Sequence, residues 1–226
     1  EAGVKFTVAE NTRFVPVYQE VARHLARGLL GEIWLVRTIV DASDVARIRD
    51  PESWAGKELD HGVILDCGVH SFYLLKWLFG GVREVRGFAH KIVPEGETED
   101  NAVIVGKLVN GASFLTVLSS STEIPPVREV LEVFGSRGGI LVDLVRDRPA
   151  IHYSGSTVME GTLLDVAHDP MAWKVLSIIE EVKAFVRAVV EDGPVSPDPN
   201  DALHAVKVVE AIYASIQENQ LAAVAP

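Results

Sequence analysis

The spacing of apolar residues along the chain alternates between the period of a helix and that of a strand. Val17, Val21 and Leu25 recur every four residues and predict one apolar helix face. Helical spacing of this kind predicts helices over residues 15–27, from about Asp66 to the glycine pair 80–81, 172–191 and 200–218. Alternating or continuous apolar runs predict strands over residues 3–9, 32–41, 83–93, 101–109, 112–119, 128–135, 139–144 and 149–153.

The order of these elements predicts the fold class. The central strands follow one another through short connections, and Asn110-Gly111 is a typical hairpin turn. Short connections join antiparallel neighbours, so we predict an α+β domain with a largely antiparallel open sheet and helices packed on one face. Residues Val103, Ile104 and Val105 are apolar on both faces of their strand. A partner domain or subunit is therefore expected to cover the other face, giving a homodimer or homotetramer through the sheet of residues 83–153.

Charge and composition narrow the functional class. The formal net charge is −11 over 226 residues, which argues against binding of nucleic acid or of an anionic membrane surface. No apolar run approaches the length of a membrane span, and no signal peptide opens the sequence. Cys67 is the single cysteine, so no intrachain disulfide can form. An acidic cytoplasmic enzyme is the expected class.

The segment around Asp66 and His70 is the main candidate for chemistry. The two residues are four positions apart at the predicted start of a helix, so they can share one face. The helix N-terminus favours an ionised carboxylate and a neutral imidazole, and such an imidazole can take a proton from a hydroxyl near neutral pH. Gly68, between them, would let a substrate or a backbone segment approach closely.

Two other interpretations of this segment remain open from its spacing. Asp66 can be an N-cap and His70 an ordinary residue of the helix surface. His61, Asp66 and His70 can also be spaced as metal ligands, but neither a cysteine pair nor an HExxH motif accompanies them. We therefore predict no metal site.

Several segments resemble the glucose-fructose oxidoreductase / inositol 2-dehydrogenase (Gfo/Idh/MocA) family, and they follow one another in the order found in that family. The resemblance spans nearly the whole chain. The segments are Asn11–Pro16 with Leu30–Ile33, Ser53-Trp54 with Gly62–His70, Phe185-Val186 with Gly193-Pro194, and Asp201–Leu203 with Glu210–Ser215. The second of these resembles the tryptophan loop and the D-x-G-x-H catalytic helix of the family.

The resemblance implies a domain of a larger enzyme. Family members carry an N-terminal Rossmann domain that binds NAD or NADP and a C-terminal α+β domain that binds substrate and forms oligomers. Residues 1–10 would be the last strand of a missing Rossmann domain, and 11–226 the substrate-binding and oligomerisation domain. The sequence contains no G-x-G-x-x-G fingerprint, so the dinucleotide would be bound mainly by the missing domain.

The same resemblance assigns roles to individual residues. Asp66 and His70 would handle the hydroxyl proton of a secondary alcohol on a sugar or polyol, helped by a lysine of the Rossmann domain. The candidate substrate-binding residues are Arg13, Trp54 and His152, and the candidate cofactor-binding residues are Asn11 and Arg13. Packing roles are expected for Tyr18, Cys67, His204 and Tyr213.

This sequence departs from the family pattern in places. Ala55 replaces an arginine that often follows the tryptophan, and Tyr73 replaces a second aspartate after the histidine. The pocket is therefore expected to differ from that of a typical sugar dehydrogenase. Two alternatives stay open: a catalytically silent binding or oligomerisation module, and an NAD-dependent lyase or glycosidase variant of the family.

Overall fold

The computed structural model describes residues 3–57, 62–122, 128–144, 150–154, 157–159 and 170–225, with backbone alone at 150–154, 157–159 and 170–171. Its helices are a 3₁₀ helix Asn11–Phe14, α1 Pro16–Ala26, α2 Val45–Arg49, α3 Gly62–Asp66, α4 Gly68–Phe79, α5 Pro170–Val190 and α6 Pro199–Glu218. Its strands are β1 Ile33–Asp41, β2 Val82–His90, β3 Asn101–Leu108, β4 Ser113–Ser119, β5 Arg128–Gly135, β6 Gly138–Asp143, β7 Ala150–Ser154, β8 Thr157–Met159 and β9 Ala222–Ala223.

The described strands form one sheet in the order β8-β7-β6-β5-β1-β4-β3-β2-β9. The predicted α+β class is confirmed, but the sheet is mixed. Within the described residues, β1 and β4 pair in parallel, with Val36 opposite Phe114, and the other neighbouring strands are antiparallel. β1 lies at the centre of the sheet between β5 and β4, both of which are distant from it in sequence. The long connection from β1 to β4 allows the crossover that a parallel pair needs.

The core lies between one face of the sheet and helices α1, α4 and α6. The buried stripe predicted on α1 is confirmed, since Val17 and Val21 are fully buried. On the sheet, side chains at alternate positions of a strand point to the same face. Ile104 of β3 and Leu131 of β5 point in this way into the same core cluster. Helix α6 comes so close to β2 that a Cβ on Gly87 would lie 2.8 Å from Ile212. This packing fixes the positions of the helices that carry the candidate site.

The opposite face of the sheet has no helix on it in the described part of the chain. Phe88, Val103 and Val105 lie side by side on this face and are each more than a third exposed. Arg37 pairs with Glu132 there and stacks on Phe134. The two-sided apolar character predicted from the sequence thus appears as an uncovered, mainly apolar sheet surface.

Residues 3–9 do not form the predicted strand within the described structure. The described residues 3–10 pair with no strand of the sheet, and they run beside the α5–α6 connection. Lys5 bonds to the Gly193 carbonyl and the Asp192 carboxylate, and Thr7 bonds to the Pro197 carbonyl. The alternating pattern that predicted a strand is still visible in the structure, since the apolar side chains of the segment all point outward. These are Val4, Phe6 and Val8.

The apolar segment Gly62–Phe79 is longer than the sequence pattern suggested. By length and composition alone, with a mean hydropathy of 1.2 over 18 residues, it could cross a membrane. The expectation that no run approaches such a length was therefore wrong. The structure breaks the segment at Cys67 into α3 and α4, and 56% of it is buried inside the protein, as in the core helices of globular domains.

Candidate active site

Asp66 and His70 lie on two different helices instead of at the start of one. Asp66 is the last residue of α3, and His70 is the third residue of α4. Cys67 occupies the N-cap position of α4 and makes no side-chain cap. The alternative interpretation, in which Asp66 caps the helix of His70, is therefore wrong, because Asp66 ends a separate short helix. Asp66 is solvent-exposed, which leaves its carboxylate available to a ligand.

Glu99 holds the N-terminus of α3, the helix that presents Asp66. Its carboxylate accepts from the Ile64 amide at 3.2 Å, and its carbonyl accepts from the Val63 amide at 3.0 Å. Tyr213 of α6 donates its hydroxyl to the same carboxylate at 2.8 Å. Tyr213, predicted to be a packing residue, therefore also links the last helix to the helix of Asp66.

The ring of His70 is bonded to Glu10, a residue that the sequence analysis did not single out. The His70 Nδ1 atom lies 2.7 Å from Glu10 Oε2. The histidine side chain is 51% exposed, and the glutamate side chain only 7%. Glu10 also accepts from the Thr12 amide through Oε1 at 3.0 Å, which caps the 3₁₀ helix. No local pattern could reveal this pair, because its members are 60 residues apart.

The pair changes the proton affinity of both groups. The hydrogen bond that His70 donates to Glu10 raises the pKa of His70 against the opposing effect of burial. The charges of Glu10, Glu129 and Asp66 add to this rise. Burial works to raise the pKa of Glu10, but its hydrogen bond and attraction to His70 outweigh burial and lower that pKa. Glu10 is therefore ionised near neutral pH, and it can only accept a hydrogen bond from the ring.

A second carboxyl group, half-buried, lies near the ring. Glu129 of β5 lines a small cavity together with Tyr18, Thr38 and His70. Burial raises the pKa of Glu129, and Tyr18 forms a side-chain hydrogen bond with it. Tyr18 is buried, so its predicted packing role is confirmed, and its hydroxyl also satisfies this carboxyl group.

The 3₁₀ helix that follows Glu10 carries the candidate residues Asn11 and Arg13. Asn11 donates its amide to Ser177 of α5 at 2.7 Å. The Arg13 guanidinium donates to the Tyr73 hydroxyl at 3.3 Å and stacks 5.2 Å from the ring centre of Trp77. Both side chains therefore have partners within this domain, and their contacts with cofactor or substrate stay predictions.

Trp54 lies on an exposed loop beside an acidic pocket. Its ring is 55% exposed and carries the Arg47 guanidinium 4.7 Å from its centre. The next residue of its loop, Ala55, lines the pocket together with Asp66, Asp44 and Asp100. Arg47 therefore covers part of the ring, and the sugar-stacking role of the exposed remainder stays a prediction.

The structure supports packing roles for two other residues. Cys67 packs against the core, and burial, with the charge of Asp66 next, raises the pKa of its thiol to about 12. His204 accepts from the Val82 amide at 2.9 Å, and burial lowers its pKa to about 4. Neither side chain has a described hydrogen bond to His70 or Glu10.

Two candidate histidines, His152 and His61, lie partly or wholly outside the described residues. His152 lies on β7, but its side chain is outside the described part of the structure, as is the whole of His61. Among the described residues, no group of three histidine, cysteine, aspartate or glutamate side chains is placed to hold a metal ion.

Gly68 allows close packing on the side where a Cβ would point. It is buried at the first position of α4, where a Cβ would lie 2.9 Å from Leu118 Cδ1 and 3.0 Å from Phe72 Cε2. The close approach that the sequence predicted at this glycine is therefore that of α4 to β4.

The chain is similar to known proteins in both sequence and fold. The family model described as "GFO/IDH/MocA C-terminal domain" matches residues 18–141, more than half of the chain. The chain belongs to the GFO/IDH/MocA family. The resemblance seen in the sequence is thus confirmed, and the matched residues run from α1 through β6, including the segment that carries Asp66 and His70.

Two curated members of the family are similar over almost the whole chain. D-apiose dehydrogenase of Paraburkholderia graminis is 24% identical over 97% of this chain and 59% of its own length. Inositol 2-dehydrogenase of Rhizobium meliloti is 21% identical over 98% of this chain and 66% of its own length. The chain therefore spans less than two thirds of the length of either relative.

Solved structures share the fold. The WlbA dehydrogenase of Bordetella pertussis, in complex with NADH and UDP-GlcNAcA, is 20% identical and superposes with a TM-score of 0.87 over 100% of this chain and 66% of its own. An NAD binding oxidoreductase of Klebsiella pneumoniae is 23% identical, with a TM-score of 0.85 over 100% of this chain and 67% of its own. At these identities the likeness establishes the fold.

Proposed function

We propose that this chain is the substrate-binding and catalytic domain of an NAD(P)-dependent oxidoreductase that acts on a secondary alcohol of a sugar or polyol in the cytoplasm. The observation that carries the proposal is the state of the His70 ring. One nitrogen, Nδ1, is bonded to a buried carboxylate, while half of the side chain remains exposed. The other nitrogen, Nε2, is therefore the one available to a substrate hydroxyl.

The residues of this chain would handle the proton of the reaction. A bound nicotinamide would accept the hydride from the alcohol carbon. The proton of the hydroxyl group would then have to leave the oxygen. His70 Nε2 takes that proton as a general base, a role worth about 10²–10⁴ in rate. The exposed Asp66 carboxylate adds negative charge near the ring, which favours the imidazolium that forms.

The cofactor would be NAD or NADP, held mainly by a domain upstream of this one. Within this chain, Asn11 and Arg13 would reach the cofactor at the junction with that domain, although each side chain also has a partner here, Ser177 for Asn11 and Trp77 for Arg13. The sequence also contains no G-x-G-x-x-G fingerprint, the turn that cradles the phosphates of a dinucleotide. The length of the relatives supports an additional domain, since this chain spans 59% of D-apiose dehydrogenase.

Residues 1–10 would belong to that upstream domain as its last strand, and residues 11–226 would form the substrate domain. The outward-facing Val4, Phe6 and Val8 support this, because a strand of another sheet would bury them. Helix α5 supports it too, since Val182 and Val186 on its outer face are more than half exposed. Both apolar surfaces are suitable contacts for a second domain of the same protein.

The substrate would be a small polyhydroxylated molecule. The names of D-apiose dehydrogenase and inositol 2-dehydrogenase support this class. In this chain, carboxylates of Asp44 and Asp66 line the pocket next to the Trp54 loop, and carboxylates are acceptors for sugar hydroxyls. The exposed face of Trp54 suits the apolar face of a sugar ring.

A homodimer or homotetramer would form through the uncovered sheet face. Phe88, Val103 and Val105 expose a contiguous apolar surface there, which monomeric proteins seldom leave open to water. An isologous contact between two such faces would bury it on both copies.

The test uses the longer protein that contains this domain. We expect His70→Ala to lower kcat for sugar or polyol oxidation about a hundredfold or more. The melting temperature should fall as well, because the buried Glu10 carboxylate loses its partner. Asp66→Asn is expected to lower kcat less, because Asp66 acts on the ring through charge. His90→Ala is the matched control, since His90 is also exposed but lies at the end of β2. Normal turnover by His70→Ala would refute the proposed role.

A further inference from the structure

We propose that Glu10 is the positioning residue of His70: its buried carboxylate fixes the proton on Nδ1 and leaves Nε2 as the acceptor. This role rests on the proposed function, because it concerns how His70 would act as a base. Glu10 lies just before the 3₁₀ helix and outside the residues matched by the family model. Its link to the ring arises only when the chain is folded.

Both oxygens of the Glu10 carboxylate are in use. Oε1 accepts from the Thr12 amide at 3.0 Å, and Oε2 lies 2.7 Å from His70 Nδ1. The first contact prevents the carboxylate from rotating away from the ring, because rotation would uncap the 3₁₀ helix. The glutamate side chain is only 7% exposed, so water competes weakly for the second contact.

The chemistry of the donor and acceptor decides the tautomer. An ionised carboxylate can only accept, so Nδ1 must carry the hydrogen that joins the two groups. A neutral imidazole has one N–H, and with that hydrogen on Nδ1 the lone pair lies on Nε2. When Nε2 takes a proton from substrate, the positive charge on the ring forms beside the Glu10 carboxylate. Glu10 thus orients the base and stabilises its product.

Other charged groups around the pair come from each neighbouring element. Asp66 of α3 and Glu129 of β5 act on His70, and Tyr18 of α1 is bonded to Glu129. From α5, Lys174 acts on Glu129 and Glu181 acts on Glu10. Of these groups, Glu10 alone has a described hydrogen bond to the His70 ring, so it is the group that can set the tautomer.

Glu10→Gln is the decisive variant because it keeps the shape and inverts the hydrogen bond. The amide oxygen of glutamine can still accept from the Thr12 amide. The amide nitrogen then faces His70 Nδ1 and donates to it, which moves the ring hydrogen to Nε2 and blocks the base. Glu20→Gln is the matched control, because Glu20 lies 3.3 Å from Nδ1 of another histidine, His24 on α1.

The first measurement needs no turnover. Long-range proton–nitrogen NMR of the 226-residue chain distinguishes the two histidine tautomers and gives the pKa of each ring. We expect His70 to carry its hydrogen on Nδ1 in the original chain and on Nε2 in Glu10→Gln, with a lower pKa in the variant. Glu20→Gln should leave His70 unchanged. The same tautomer and pKa of His70 in the original chain and Glu10→Gln would overturn the proposal.

The second measurement is the pH profile of kcat/KM for alcohol oxidation by the longer protein. The rate should rise as His70 loses its proton, and Glu10 raises the pH at which this happens. Glu10→Gln should therefore move the acid limb to lower pH and lower the plateau about a hundredfold. An effect through stability alone would lower activity without moving the limb.

The outcomes separate this inference from the proposed function. Loss of activity in His70→Ala with a normal profile in Glu10→Gln would overturn the role of Glu10 and leave the proposed function standing. Normal turnover in His70→Ala would refute the proposed function, whatever the NMR of Glu10→Gln shows. Loss in both variants, with the changed tautomer, supports both.

Discussion

Gly68 offers a direct test of how helix α4 is held in place beneath the candidate site. In Gly68→Ala, the added Cβ would lie 2.9 Å from Leu118 Cδ1 and 3.0 Å from Phe72 Cε2. Ordinary carbon–carbon contacts are about 3.5–4.0 Å, so both neighbours would have to move. Leu118 and Phe72 are buried, which leaves them little room to do so.

The expected cost follows from two opposing effects. Forcing a methyl group into a packed core costs about 1–3 kcal/mol. Replacing glycine in a helix returns about 0.5–1 kcal/mol of conformational entropy, and less at the first position of α4. We therefore expect Gly68→Ala to lower the free energy of unfolding by about 1–2 kcal/mol. For a chain of this size that corresponds to a fall in Tm of roughly 2–4 °C per kcal/mol.

Urea denaturation of a double-mutant cycle measures this effect. Leu118→Val removes the Cδ1 atom that the new methyl group would meet and costs about 1 kcal/mol by itself. In the double variant we expect Gly68→Ala to cost at least about 0.5 kcal/mol less than it does alone. Any loss of turnover in Gly68→Ala should be reduced in the double variant as well.

A different pattern would refute this reasoning. If Gly68→Ala keeps full stability but loses turnover, and Leu118→Val does not restore it, the glycine leaves space for the substrate. That was the role the sequence suggested, and the position of Gly68 between Asp66 and His70 makes it a meaningful alternative.

Two further predictions concern assembly and the cofactor. Phe88→Glu combined with Val105→Glu should convert a dimer or tetramer into monomers, as measured by light scattering, because the new charges would be buried between the two sheet faces. Val175→Glu at an exposed position of α5 is the control. An unchanged mass of the double variant would place the interface elsewhere. Isothermal titration of the 226-residue chain with NAD and with NADP should detect no binding, since the sequence lacks a phosphate-cradling glycine turn, and micromolar affinity would contradict the location proposed for the cofactor site.

The secondary structure of this protein is largely a local property, and the sequence predicted most of it. The apolar stripe of Val17 and Val21 and the run of Ile33–Asp41 gave elements close to their observed bounds. The hairpin at Asn110-Gly111 was also predicted, because its residues suit a tight turn. The family resemblance came from motifs whose order along the chain is visible without a structure.

Local pattern failed where a partner decides the outcome. Residues 3–9 alternate like a strand, but a strand exists only when another strand accepts its hydrogen bonds. The break at Cys67 was missed because no local signal in the mainly apolar segment from Gly62 to Phe79 marks it. Glu99, distant in sequence, bonds the start of α3.

The sequence by itself determined the α+β class, most helices and strands, the family, and the presence of Asp66 and His70 in one short segment. Only the tertiary structure decided that β1 and β4 pair in parallel, and that His70 bonds Glu10 instead of Asp66. The physical reason is the same in both cases. Periodicity reports which face of an element avoids water, whereas strand neighbours and buried charge partners depend on where distant segments meet.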